Sequence, residues 1–278
     1  NALTEDMKQP QPDVIHHQMI EAVLNAQTGI DAVDAHITQF YKTGYLHNHV
    51  RMYIATITCN IGKAHWHTPS QWMYYHLLDG DLASNNCSWQ WVAGAFSSKK
   101  YYANQENINT FLFSSQRHTF LDVSYEQLPK ILVPEKLKNT VNLSLSTALP
   151  TKSIPVLDPS VPTLIYNSYN LDPVWRQTEK ANRVLLLEPT HFKQYPISTV
   201  VLQFIINLSK NIPGLQCMVG EVDDVLKQVS QDSIISKEHP AFRHYPGKKD
   251  ERDWLFPHLQ GYYPSFSAFW RKANVPSH

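Results

Sequence analysis

A chain of 278 residues is long for one domain and comfortable for two. Its formal net charge of zero excludes a global field that would steer it onto nucleic acid, so any such contact must use a local basic patch. Its 42% apolar share is that of an ordinary globular protein, and no run approaches the roughly twenty apolar residues of a membrane span. The three cysteines, Cys59, Cys87 and Cys217, form neither a disulfide framework nor a zinc pattern, which points to a reducing cytoplasm. Nothing at the start reads as a signal peptide, and the opening Asn1-Ala2 without an initiator Met leads us to expect a fragment of a longer protein.

In chain order, the helical period predicts helices over Ile15–Gln27 and Ile30–Tyr41, with Gly44 at a C-cap, and a third over Leu46–Ile61. Thr68-Pro69-Ser70 is a start signal, with Thr68 as cap, for a helix running through Trp72, Tyr75 and Leu78 to about Asp79; another covers Asn85–Phe96. Six prolines between Leu128 and Pro162 mark a linker. Beyond it, Thr163–Tyr166, Val184–Leu187 and Gln216–Val219 are short apolar runs typical of buried parallel strands, and Ser198–Asn211 is an amphipathic helix between the last two. Ile234–Ile235 reads as a short fourth strand and Phe266–Lys272 as a closing helix. The expected fold is an α+β two-part chain. An all-helical region (1–127) and a Pro-rich linker (128–162) precede a small Rossmann-like α/β domain with a parallel sheet (163–278).

Three segments carry chemistry: Gly44-Tyr45-Leu46-His47-Asn48-His49-Val50-Arg51-Met52, Leu78-Asp79-Gly80-Asp81-Leu82-Ala83-Ser84-Asn85-Asn86, and Cys87-Ser88-Trp89-Gln90-Trp91. On a helix Asn48, Arg51 and Met52 stand at i, i+3 and i+4 and share one face. Asp79 and Asp81 sit at a helix end around Gly80, where backbone can approach a ligand closely. An Arg51–Asp79 pair would present a planar, bidentate recognition device. Asparagines and tryptophans add neutral hydrogen bonding and stacking, so a flat heteroaromatic ligand with polar edges suits the set. Taken singly, each piece has a plainer role: ion pair, core filler, helix cap. His47, His49, His65 and His67 fall in i, i+2 pairs that point to different helix faces, which argues against a metal site.

The blocks resemble the flavin-domain signature of the photolyase/cryptochrome family, which reads Trp-Met-His-Asn-Arg-Leu-Arg-Met and Asp-Gly-Asp-Leu-Ala-Ala-Asn-Asn-Gly-Gly-Trp-Gln-Trp in typical members. Gln27-Thr28-Gly29-Ile30-Asp31-Ala32-Val33-Asp34 resembles the family's Lys-Thr-Gly-Tyr-Pro-Ile-Val-Asp, and the resemblance spans Gln27–Ala95 without gaps. It implies an FAD in an all-helical domain. Arg51 and Asp79 would pair beside the isoalloxazine ring, Asp81 would bond its polar edge, and Asn85 would face N5, with Asn48 also at the cofactor. It implies lesion contacts from Asn48, Met52 and Trp91, and Asn with Met rather than two His points to cyclobutane pyrimidine dimers, since neither is a useful general acid. Trp89 and Trp66 would relay electrons, while the place of an outer Trp falls near Asp13, which leaves Trp72 or a nearby Tyr as a substitute.

The chain departs from the family in two respects. No Thr/Ser-rich segment of the kind that cradles the FAD diphosphate precedes Gln27, so the chain is expected to hold the ring side of the site and little FAD. The α/β domain follows the helices, as in a permuted bacterial subgroup; if it holds an antenna chromophore, Glu188, His191, Glu221 and Asp223 lie near the expected strand ends. Lys99, Lys100 and Arg117 are the candidate phosphate contacts. Light-driven dimer repair is the first reading, a cryptochrome-type blue-light sensor the alternative, and a flavin-free folded module the third.

Overall fold

The computed structural model describes residues 3–263 and 265–273. Two compact units emerge, Asn1–Thr151 with Glu188–Leu208, and Lys152–Leu187 with Ser209–His278. The Pro-rich stretch is shared between them: Leu128 and Leu137 are buried with the helices, Leu157 with the sheet. Among the described residues no helix is long and apolar enough to cross a membrane.

In the first unit the helix expected over Ile15–Gln27 shrinks to one turn. Met19–Ile20 form β1, paired antiparallel with β2 (Thr140–Val141), and α1 covers only Glu21–Leu24. The buried Met19, Ile20 and Val23 satisfy a strand-then-turn as well as a helix, and the partner strand decides. The helix expected from Ile30 is α2 (Asp31–Thr43); the Asp34 carboxylate accepts from Thr28 N and Gly29 N at its entry. It ends at Gly44, whose φ of 68° is left-handed and whose missing Cβ would sit 2.6 Å from Leu78 Cγ.

The third predicted helix divides into α3 (Asn48–Ala55) and a buried π-helical segment, Thr56–Ile61. There Asn60 Nδ2 donates to the carbonyls of Val92 and Tyr101, and Thr56 Oγ1 to that of Tyr101. Helix α4 spans His67–His76, so Thr68 is inside it rather than its cap and gives its hydroxyl to His17 O. Helix α5 spans Leu82–Ala93, three residues ahead of expectation, because Asp81 rather than the Asn pair caps it. Helix α6 (Gln105–Leu112), capped by Asn104, was not foreseen. Helices α7 (Pro189–Gln194) and α8 (Thr199–Ser209) follow; Ser198 N donates to Tyr75 O, and Ile197 N to Thr147 Oγ1.

The second unit is built on five parallel strands, β3 (Thr163–Tyr166), β4 (Asn182–Leu187), β5 (Leu215–Val219), β6 (Ile234–Lys237) and β7 (Lys248–Asp250), in the order β5-β4-β3-β6-β7. Ile165, Val184, Leu186, Met218 and Ile234 pack with Phe242 and Tyr245 in its core. Strand β7, Lys-Lys-Asp, has no apolar run to reveal it. Helices α9 (Val222–Leu226) and α10 (Phe266–Ala273) complete the elements. The order runs outward from β3 in one direction and then from β6 in the other, which makes the β3/β6 boundary a topological switch point.

His76, at the end of α4, packs its ring against Phe40, Tyr41 and Trp72. Burial pushes its pKa from 6.5 down to about 4. The folded state keeps it neutral where the unfolded chain takes up a proton, so its contribution is complete above pH 6.5 and is lost as pH falls toward 4. Burial also lowers His65 and His67, with the same sign. Urea midpoints from pH 7 to 4.5 should show a loss of roughly 1–3 kcal/mol from His76, and His76→Phe should flatten that part of the slope.

Candidate functional site

The Gly44 turn and the α4–α5 turn meet through a hydrogen bond from Leu78 N to Gly44 O, 2.9 Å. This brings the start of α3 against residues 79–81. The resulting cavity, about 210 Å³, is lined by Asn48, Arg51, Met52 and Ala55 from α3, Met73 and Leu77 from the α4 end, Asp79 and Asp81, and a stripe of α5. That stripe comprises Ser84, Asn85, Ser88, Trp89, Trp91 and Val92. Of the residues assigned in the sequence to the flavin, the lesion or the electron relay, all except Trp66 line this one cavity. Ser84, Ser88 and Met73 were missed; Ser88 stands at i+3 from Asn85 and Ser84 at i−4 from Ser88, so the helical period could have found the two serines. Gly80 does not line it, since its Cα side is closed by Tyr74 and Leu77.

Arg51 Nη2 donates to both carboxylate oxygens of Asp79 at 2.9 Å, while Nε holds Leu46 O at 3.0 Å. One nitrogen serves both oxygens, rather than the two-nitrogen fork expected. Asp79 is 61% exposed, so the pair orients the guanidinium more than it stabilises the fold. Asp81 Oδ1 accepts from Ser84 N at 2.7 Å, which caps α5. Asn85 is 8% exposed, and its Nδ2 donates to Ser70 O (2.9 Å) and Asn86 Oδ1 (3.0 Å). With both amide hydrogens engaged, the side chain is fixed and its carbonyl oxygen is the polar atom left for the cavity. Across from it, Asn48 Nδ2 lies 3.9 Å from Met52 Sδ. Trp89 is buried, and Trp91 packs edge-on to Tyr101 at 5.5 Å. The donor set around the cavity is thus a cation, two carboxylates and oriented neutral amides between apolar walls, which fits a flat ring with polar edges.

The remaining candidates lie elsewhere. Trp66 is wholly buried and shares one core with Trp89. Lys99 is exposed, and Arg117 is 3.7 Å from Asp122. Lys100 is only 9% exposed and bonded to Asp13 at 3.0 Å, so it is committed within the fold. Asp13, where the outer Trp would fall, is a carboxylate whose pKa is lowered by its hydrogen bond to Lys100.

In the second unit a cleft of about 350 Å³ opens at the carboxyl ends of β3 and β6, lined by Tyr169, Asn170, Asp172, Lys237, His239 and Arg252 among others. Tyr169 and His239 stack at 4.2 Å, 13° apart, and Asn167 Nδ2 and Asn170 Nδ2 are buried without a partner. None of the four residues expected at strand ends lines it. Glu221 and Asp224 instead form the capping box of α9, Asp223 is exposed in its first turn, and Glu188 and His191 are buried at α7. Which strand ends face each other depends on sheet order, and the sequence does not display sheet order.

Residues 2–118 match the family described as the FAD binding domain of DNA photolyase. The deoxyribodipyrimidine photo-lyase of Synechococcus sp. is 39% identical over 77 residues, 28% of this chain and 16% of that protein. That of Escherichia coli is 36% identical over 74 residues, 27% and 16% respectively. Cryptochrome DASH of Gloeobacter violaceus is 39% identical over 69 residues, 24% and 14%. The matched stretch thus spans about a sixth of these relatives' length.

The double duty of Asp81 can be separated. Asp81→Ala should cost about 0.5–2 kcal/mol in urea unfolding through loss of the cap, whereas Asp81→Asn, which keeps an acceptor for Ser84 N, should stay near the parent.

Proposed function

From the match of residues 2–118 to the FAD binding domain of DNA photolyase, we propose that the chain is part of a flavoprotein that uses blue light to repair cyclobutane pyrimidine dimers in DNA. The parts are a helical flavin region followed by an α/β domain, with the division expected at 127 and 163. The observation that carries the reading is the fixed Asn85 amide on one wall of the cavity, facing Asn48, Arg51 and Met52 on the other. When bound, FAD supplies the light absorption and the electron that splits the lesion. The chain's residues supply position and electrostatics. Arg51, held by Asp79 and Leu46 O, sets a cation beside the ring. Asp81, with one oxygen spent on its cap, keeps the other for the ring edge. The Asn85 carbonyl would accept a hydrogen bond from a proton-bearing nitrogen of the ring. At about 210 Å³ the cavity is smaller than the roughly 300–1,000 Å³ of a complete ligand site, which suits the ring end of a dinucleotide.

A flipped dimer would enter against Met52 and Asn48 and stack on Trp91. Neither Met nor Asn moves protons, which suits dimer splitting by electron transfer rather than acid catalysis. Trp89 and Trp66 would refill the flavin with electrons. Lys99 and the exposed Arg117, which lies 3.7 Å from Asp122, are the candidate cations for DNA phosphates in this reading, since Lys100 is both paired and largely buried. The β3/β6 cleft, with its stacked Tyr169 and His239 rings and the unpaired Asn170 amide, is the candidate place for an antenna chromophore. Blue-light sensing without repair is the second reading, favoured by the likeness to a DASH-type cryptochrome and by a carboxylate at the outer relay position.

Reduced, flavin-loaded protein under blue light should restore thymines in a dimer-bearing oligonucleotide. Met52→Ala and Trp91→Ala should each weaken lesion binding by about 1–3 kcal/mol, leaving the flavin spectrum unchanged. Asn85→Asp should alter the absorption of the photoreduced flavin, because a charge replaces a neutral amide at the ring. Flavin that photoreduces while dimers persist in both single- and double-stranded DNA would leave sensing as the function.

A further inference from the structure

Trp66 is buried completely, yet its indole nitrogen is not bonded to a neutral carbonyl: Nε1 donates to Asp6 Oδ1 at 2.6 Å. That is shorter than the roughly 2.7–3.2 Å of ordinary N–H···O bonds and belongs with charge-assisted ones. Gln11 holds both partners in place. Its backbone N donates to Asp6 Oδ2 (2.8 Å), its Oε1 accepts from Trp66 N (2.8 Å), and its Nε2 is tied to Ala64 O (2.8 Å). His65 Nε2 is 3.3 Å from the same oxygen, Asp6 Oδ1, and the His65 ring stacks on His17 at 4.6 Å. An acceptor needed only to satisfy a buried indole could be any carbonyl. A carboxyl side chain, oriented by a second residue and flanked by an imidazole, is a different device.

We propose that Asp6 is the proton acceptor of Trp66 when light-driven oxidation withdraws an electron from that indole, a role that rests on the electron relay proposed above. The electron passes from Trp66 to the oxidised Trp89, which has itself been oxidised by the photoexcited isoalloxazine. Losing an electron turns the indole N–H from a negligible acid into a strong one. The Nε1 proton then crosses the existing hydrogen bond to Asp6 Oδ1, leaving a neutral Trp66 radical and a neutral carboxylic acid. The local charge rises by one, matching the one electron that left. Return of the electron then requires return of the proton, which slows recombination. The device ends the relay inside the protein, in keeping with Asp13, an ion-paired carboxylate where an outer aromatic would otherwise continue it. Asp6 acts on Trp66 and touches neither flavin nor lesion.

The test compares parent, Asp6→Asn and Trp66→Phe, reconstituted with saturating FAD and excited by a blue flash. Asp6→Asn keeps an oxygen for the indole N–H and removes the base. The parent should show the deprotonated tryptophan radical, which absorbs at shorter wavelength than the protonated cation, with a slower decay in deuterated solvent. Asp6→Asn should show the cation, with recombination faster by about tenfold, equivalent to ~1.4 kcal/mol, and no solvent isotope effect. In the flavin-free chain, the Trp66 indole proton should resonate well downfield of the other indoles and move upfield in Asp6→Asn. A deprotonated radical of equal lifetime in parent and Asp6→Asn overturns the role of Asp6 alone. If Trp66→Phe leaves the radical yield unchanged, or no tryptophan radical forms in the parent, the relay falls and this role with it. Should Asp6→Asn fail to fold, a protonated radical in the parent, or one without an isotope effect, still refutes the proposal.

Discussion

One close approach governs the geometry of the cavity: Leu78 N donates to Gly44 O, with the Leu78 side chain filling the space a Cβ on residue 44 would need. Gly44 is both the left-handed stop of α2 and the seat for the turn after α4. A side chain there would strain the backbone and drive Leu78 away, and with it the Asp79 that Arg51 reaches from one helical turn past the same glycine. The Arg51–Asp79 pair is therefore a consequence of backbone packing. Its exposure to water means that it could not itself have pulled the segments together.

Around this approach lies a buried polar framework with few loose ends. Asn60 ties the π-helical segment to the carbonyls of Val92 and Tyr101, and Asn85 and Asn86 link α5 to Ser70 O and Leu3 O. Gln90 accepts from Met7 N and donates to Glu5 O, so residues 3–11 run across α5 as a bonded strap. Such a network costs desolvation at every amide but leaves each side chain one orientation. Rigidity of that kind matters at a site whose chemistry belongs to a bound chromophore, where the protein's part is to hold neighbours at fixed distance. The same strap delivers the partly buried Asp6 to the fully buried Trp66 indole.

The two units reach ligand-sized concavities by different routes. The helical one assembles its cavity from residues close in sequence, on α3, the end of α4, α5 and the turn before α5. The α/β one opens its cleft where β3 and β6 part, from residues around 170, 238 and 252. In such a sheet the gap follows from winding direction, whatever side chains fill it.

Much of the helical site was legible in the sequence because its residues recur at helical spacing within short blocks. Asn48, Arg51 and Met52 share a face by periodicity alone, and the short apolar runs at 163, 184, 216 and 234 announced their strands. What the linear pattern could not determine were choices made by partners distant in sequence. Ile15–Gln27 has helical spacing, yet Met19 and Ile20 pair with residues more than a hundred positions later and become a strand. Thr68 has the chemistry of a cap but spends its hydroxyl on His17 O, and Asp81 caps α5 in place of the Asn pair. Lys100 reads as a free surface cation and is bound to Asp13. Glu221 and Asp223 follow the end of β5 as expected, but they begin a helix there and lie outside the β3/β6 cleft. Local propensity and period set which faces a segment can offer. Tertiary structure assigned each polar group its partner, because a buried hydrogen-bonding group must be satisfied by whatever the fold brings within 3 Å, and chain order does not encode that proximity.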